Sequence, residues 1–195
     1  MKRTDLGSYA RWVVAAAGAL ALAWLVVGAE VPWRTNPTTT RSAASTAPAS
    51  GEGCPVDAPD AKFDFTLKDV ENSDVNLESY KGKVVLLDFW ATWCGPCKVE
   101  IPGFIDLQDK YGRDGFQVIG ISVDDTADKL KPYITEMKMN YPVLQGLGHD
   151  DLMDAFGPMF GIPVSVIISR DGRICAKHTG LTSKDTFESQ IKALL

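Results

Sequence analysis

Positive charge is in short supply in this 195-residue chain: 20 lysines and arginines stand against 25 aspartates and glutamates, a net charge of −5. A groove that tracks phosphates needs the opposite balance, which sets nucleic-acid binding aside. Histidine is scarcer still, with only His149 and His178. Neither shows the paired spacing of metal ligands, so no metal site is expected. The four cysteines are too few for a disulfide scaffold in a chain of this length. Internal repeats are lacking as well. What remains, 45% hydrophobic and 23% charged residues, suffices for one globular core with appendages.

Long uncharged runs are also rare, and residues 12–29 (WVVAAAGALALAWLVVGA) are the exception. A helix of that length rises about 27 Å, close to the ~30 Å hydrocarbon thickness of a bilayer. Lys2, Arg3 and Arg11 precede it, so the positive-inside bias places residues 1–11 in the cytoplasm and the rest of the chain outside. A cleaved signal peptide ending at Val27-Gly28-Ala29 is the competing reading, and it exports the chain equally well. Residues 30–57 follow, and their stretch 35–53 is rich in Ser, Thr and Pro and lacks periodicity and large apolar side chains. They read as a flexible tether. Residues 58–195 are left as a single domain.

Within that domain, residues 62–67 and 75–77 pattern as a hairpin around Glu71-Asn72-Ser73-Asp74. Residues 84–90 are a nearly continuous apolar run, suited to a central strand covered on both faces. Residues 95–111 read as a helix with Pro102 inside it. Strand signals recur at 116–123, 141–144, 164–168 and 174–178, the last two joined by the Asp171-Gly172 turn. Helical spacing covers 126–139, 150–156 and 183–194, although Pro132 argues against one unbroken helix in the first of these. The alternation predicts an α/β sheet with helices on both faces.

Chemistry concentrates in Asp88-Phe89-Trp90-Ala91-Thr92-Trp93-Cys94-Gly95-Pro96-Cys97, where the apolar run ends and the helical pattern begins. A sulfur at that junction lies beside unpaired backbone N–H groups, which favour a thiolate. Thiol-disulfide exchange needs such a thiolate to attack and a second thiol to resolve the mixed disulfide. Cys94 fits the first role, with the more exposed sulfur, and Cys97, a turn further in, the second. If Val84, Leu86, Asp88 and Trp90 share one strand face, Asp88 sits among hydrophobic groups. Desolvation then raises its pKa and suits it to take the proton of the resolving thiol; a carboxylate merely satisfied by hydrogen bonds is the plainer alternative. Cys175 falls on a strand and reads most simply as a small buried hydrophobe, with a bridge to Cys54 as the alternative.

DFWATWCGPCK strongly resembles the thioredoxin active site. With Val99-Glu100-Ile101-Pro102 added, the stretch looks like the membrane-anchored thioredoxin-like proteins of the TlpA/ResA type, a likeness that runs from about Phe63 to the C-terminus. The resemblance implies a thioredoxin fold carrying an N-terminal hairpin and a strand-helix insertion, behind a transmembrane helix. It implies a thiol-disulfide oxidoreductase that needs no cofactor beyond its dithiol. Asp88 then matches the buried acid of thioredoxin, and Glu100 resembles the active-site glutamate of the TlpA/ResA type, although a glutamate exposed on a first helical turn also serves simply as a dipole partner. Trp93, Gly95 and Pro96 would border the substrate. Ile162-Pro163 stands where such folds place a cis-proline loop beside the attacking sulfur, and Val164 departs from the threonine more usual there.

By the same resemblance the partners are disulfide-containing exported proteins, with apocytochrome c the best-known kind of target, and a membrane electron donor of the DsbD/CcdA type. Gly-Pro between the cysteines, the thioredoxin dipeptide, points to reduction rather than oxidation. Two alternatives remain: a peroxiredoxin-like peroxide reductase on the same fold, for which the P-x-x-x-T-x-x-C motif is missing, and a metal-binding chaperone using Cys94, Cys97 and a histidine.

Overall fold

The computed structural model describes residues 53–195. The proposed cytoplasmic terminus (1–11), the anchor (12–29) and most of the tether lie outside the described residues. Among those described, no helix is long and apolar enough to cross a membrane.

The elements in chain order are β1 (Thr66–Asp69), β2 (Asp74–Asn76), β3 (Val84–Trp90), α1 (Gly95–Tyr111), β4 (Phe116–Ser122), α2 (Ala127–Met137), β5 (Val143–Gln145), α3 (Asp150–Ala155), β6 (Val164–Ile168), β7 (Ile174–Thr179) and α4 (Lys184–Leu194). The strands form one sheet in the order β2-β1-β5-β4-β3-β6-β7. Its centre is parallel (β3 with β4, β4 with β5), and its flanks are antiparallel. This is a thioredoxin-like α/β fold, with the hairpin β1-β2 added at one edge.

β3 is the axis. All seven of its residues are buried, as a strand covered on both faces requires. Val84, Leu86 and Trp90 face one layer, in which α1 contributes Ile101, Phe104 and Leu107, α4 contributes Phe187 and Ile191, and α2 contributes Leu130. Val85, Leu87 and Phe89 face the other, against Leu152 and Phe156 of the α3 segment and Leu77 of a 3-10 turn. Each of these large side chains contributes about 1.5–3 kcal/mol by leaving water.

Several expectations need correction. The first strand starts at Thr66 rather than residue 62. Upstream of it, the chain pairs with the β6-β7 turn instead: the Ala61 amide donates to Gly172 O at 2.7 Å, and the Ile174 amide donates to Pro59 O at 2.8 Å. That pairing brings Cys54 to Cys175, and the two form a disulfide, so Cys175 is not the unpaired hydrophobe its strand position suggested. Pro132 does not break α2, because it sits exposed on the helix, where solvent can satisfy the freed carbonyl. Thr126 precedes α2 as a cap position but makes no side-chain capping bond.

Candidate active site

α1 begins where β3 ends, and its first turn is built around sulfur. Cys94 is the N-cap residue, and its Sγ accepts the Cys97 amide at 3.3 Å. Pro96 follows within the first turn, where its missing N–H costs nothing because first-turn amides lack helical partners. Cys94 and Cys97 are joined as a disulfide. Both residues are nearly sealed, at 3% and 1% exposure. In this oxidised form the two residues differ little in exposure.

Asp88 shares its strand face with Val84, Leu86 and Trp90, the side on which Cys94 and Cys97 pack. It is 1% exposed, and neither carboxyl oxygen has a hydrogen-bond partner among the described residues. No protein group among the described residues satisfies it. Burial pushes the carboxyl well above the ordinary carboxylate range, and the nearby Glu100 carboxylate pushes it further.

Glu100, one turn beyond Cys97 on α1, is 5% exposed and so is not the solvent-facing dipole partner its position allowed. Its Oε1 accepts the Thr182 amide at 2.7 Å, whereas Oε2 has no partner among the described residues. Burial raises its pKa, and the Thr182 bond partly opposes that rise. Two buried acids therefore couple electrostatically behind one dithiol.

The loop before β6 carries a cis Ile162-Pro163 peptide. Ile162 packs against the layer that holds both cysteines, and Pro163 O accepts the Gly180 amide at 2.8 Å. Trp93, 61% exposed, lines an apolar groove with Val123, Met153, Met159, Phe160 and Ile162. Gly95 and Pro96 are exposed at the head of α1.

Two acids at the end of β4 escape a reading of the sequence. Asp124 accepts the Trp93 Nε1–H at 3.0 Å. Buried Asp125 accepts the Thr92 amide and hydroxyl, each at 2.7 Å, and the Ser122 hydroxyl at 2.9 Å. Together they tie the loop that presents Cys94 to the β4-α2 connection. Burial works to raise the Asp125 pKa, but the bonds from Thr92 and Ser122, with Lys129 nearby, bring it below the ordinary value. The only sequence signal is a pair of acids directly after an apolar strand.

Residues 58–177 match the AhpC/TSA family. The thiol-disulfide oxidoreductase ResA of Bacillus thuringiensis subsp. konkukian is 30% identical over 130 residues, covering 67% of this chain and 74% of that protein. ResA of Oceanobacillus iheyensis is 35% identical over 141 residues, covering 68% and 70%. Among solved structures, a thiol:disulfide interchange protein of the thioredoxin family from Chlorobium tepidum superposes with a TM-score of 0.64 at 30% identity, covering 70% of this chain and 96% of that one. A helix-capping C-x-x-C pair on a thioredoxin-like sheet and these relatives agree: the chain belongs to the AhpC/TSA family, as a thioredoxin-like thiol-disulfide oxidoreductase of the TlpA/ResA type.

Proposed function

We propose that the protein is a membrane-tethered, extracytoplasmic reductase of protein disulfides, with Cys94 as the attacking sulfur and Cys97 as the resolving one. The observation that carries this reading is the capping geometry. In the reduced protein the Cys97 amide that donates to Cys94 Sγ, at the positive end of α1, stabilises its thiolate, and Cys97 follows one turn along the helix.

The thiolate attacks a substrate disulfide, forming a Cys94–substrate bond while the first substrate sulfur leaves with the electron pair. Asp88, as a carboxylate, takes the Cys97 proton; the Cys97 sulfur then attacks Cys94 Sγ, and the second substrate sulfur leaves with the electron pair of the broken bond and takes a proton from solvent. Two electrons pass from the dithiol to the substrate. Glu100, coupled to Asp88, tunes that proton transfer. Trp93, Gly95, Pro96 and the Ile162-Pro163 loop border the reacting sulfur and receive an extended substrate segment, the loop through its backbone groups.

Export is supported by the uncharged run at 12–29 and by the Cys54–Cys175 bridge, since structural disulfides persist in oxidising compartments. Residues 30–57 then tether the domain close to the membrane. A reductase placed there must be recharged across the bilayer, the task of a DsbD/CcdA-type donor, and exported proteins such as apocytochrome c are its substrates. Measuring the reduction potential of the Cys94/Cys97 couple tests the direction. A value near the ~−270 mV of thioredoxin supports reduction, and one near the ~−120 mV of a strong oxidant reverses it.

A further inference from the structure

Buried polar atoms normally find partners, and those that do not call for water or a function. In this domain they gather on one side of the sheet. Beyond both Asp88 oxygens and Glu100 Oε2, the buried atoms without a partner among the described residues are Trp90 Nε1, Tyr133 Oη, Tyr141 Oη and Ser165 Oγ.

Their placement follows from register. Asp88 lies between Gly120 of β4 and Ser165 of β6 in the sheet. The chain neighbours of those two, Ile119, Ile121, Val164 and Val166, pack in the opposite layer, so the Ser165-Asp88-Gly120 row faces the dithiol side. Gly120 leaves a gap in that row. A Cβ built there would lie 3.0 Å from Trp90 Nε1 and 3.4 Å from the edge of the Tyr141 ring, so both groups reach over the glycine beside Asp88. The Gly120 amide donates to Pro142 O at 2.9 Å, which fixes Tyr141 in that place. Tyr133 of α2 stacks against Trp90 with ring centroids 5.3 Å apart, and Lys98 Nζ lies 5.8 Å from the Tyr133 centroid on the outer side.

We propose that Asp88, Tyr141 and Tyr133, bridged by buried water, form a proton relay from behind the dithiol to the surface near Lys98 and Glu136. Asp88 is buried on the side of the dithiol away from solvent, so its own proton needs a route through the interior. The relay rests on the role proposed above for Asp88. Held uncharged by burial, Asp88 can accept the Cys97 proton only after losing its own. That proton passes through water to Tyr141 Oη, whose own proton moves on through water to Tyr133 Oη and out, each hydroxyl remaining neutral. Cys97 then protonates the Asp88 carboxylate, its sulfur bonds to Cys94 Sγ, and the Cys94–substrate bond breaks with its electron pair on the substrate sulfur, which takes a proton from solvent. The groups facing Asp88 are Glu100 from α1, Ser165 from β6, Trp90 from β3, Tyr141 ahead of β5 and, behind Tyr141, Tyr133 from α2. Lys98, Glu136 and Asp125 are the charges around Tyr133 at the outer end.

The test uses the full chain, reduced and mixed with insulin as the disulfide probe, in single turnovers quenched by alkylation in H2O and D2O. Tyr141→Phe and Tyr133→Phe each remove one hydroxyl and keep the ring. Each should slow resolution about three- to tenfold, less than the ~100-fold expected for losing a positioned acid–base group. Each should also raise the solvent isotope effect on that step while leaving mixed-disulfide formation and thermal stability unchanged. Slowing without a change in isotope effect would mark the tyrosines as structural and overturn the relay. Wild-type kinetics in both tyrosine variants, with Asp88→Asn slow, would overturn the relay and leave the role of Asp88 standing. Wild-type resolution in Asp88→Asn would remove that role and the relay with it.

Discussion

Asp125 accepts both the amide and the hydroxyl of Thr92 at 2.7 Å, two residues before the sulfur that caps α1. A buried carboxylate on one loop thus sets the path of another. Asp125→Ala would leave the Thr92 amide without its partner, at a cost of about 1–3 kcal/mol in unfolding free energy. Because the folded pKa lies below the unfolded one, this contribution is present above pH ~3.9 and is lost as pH falls through the folded value. Urea unfolding as a function of pH should therefore show the wild type and Asp125→Ala converging in acid.

Asp88 has the opposite sign. Its folded pKa is raised, so between ~3.9 and that raised value the folded state holds a proton the unfolded state has lost, and stability declines as pH rises. Asp88→Asn lacks this decline. The variant should gain stability over wild type progressively from acid to neutral pH while exchanging disulfides more slowly. Glu100→Gln retains an oxygen for the Thr182 amide and removes the charge coupled to Asp88, so it should shift the pH profile of exchange. Unchanged exchange profiles in both variants would reduce these acids to structural groups.

The Cys54–Cys175 bridge closes a separation of 121 residues and ties the start of the described domain to β7. Replacing both with serine should cost about 2–4 kcal/mol by freeing the unfolded chain. The Cys94/Cys97 potential should not change. Denaturation midpoints and a redox titration on the same variant check the two halves of this expectation.

How far the sequence anticipates this structure depends on the range of the interactions involved. β3 and α1 are legible because local pattern determines them: an unbroken apolar run, then a cysteine cap and Pro96. The burial of Asp88 follows from period two along that run. Asp125 stays hidden because its partner Thr92 is 33 positions away. Phe63 and Phe65 alternate like a strand, yet the chain just before them, at residues 59–61, is recruited by the β6-β7 turn, a tertiary contact that local propensity does not encode. The same contact decides the pairing of Cys54 and Cys175, which spacing alone leaves open.

Anchoring has its own test. Full-length protein should remain with membranes after a high-pH wash, and removing residues 1–30 should release a folded domain. Recovery of the full-length product as soluble protein with a mature terminus near Glu30 would establish a cleaved signal instead.

The central claim is that Cys94 alone bonds to substrate and Cys97 releases it. Cys97→Ala keeps the attacking thiolate and removes the group placed to resolve the adduct. Expressed from the full chain in its exporting host, this variant should accumulate reductant-sensitive adducts with exported cysteine-containing proteins, and Cys94→Ala should accumulate none. Non-reducing gels of the two variants, with the trapped partners identified after reduction, make the measurement. Adducts in Cys94→Ala but not in Cys97→Ala would contradict the assignment of the two sulfurs.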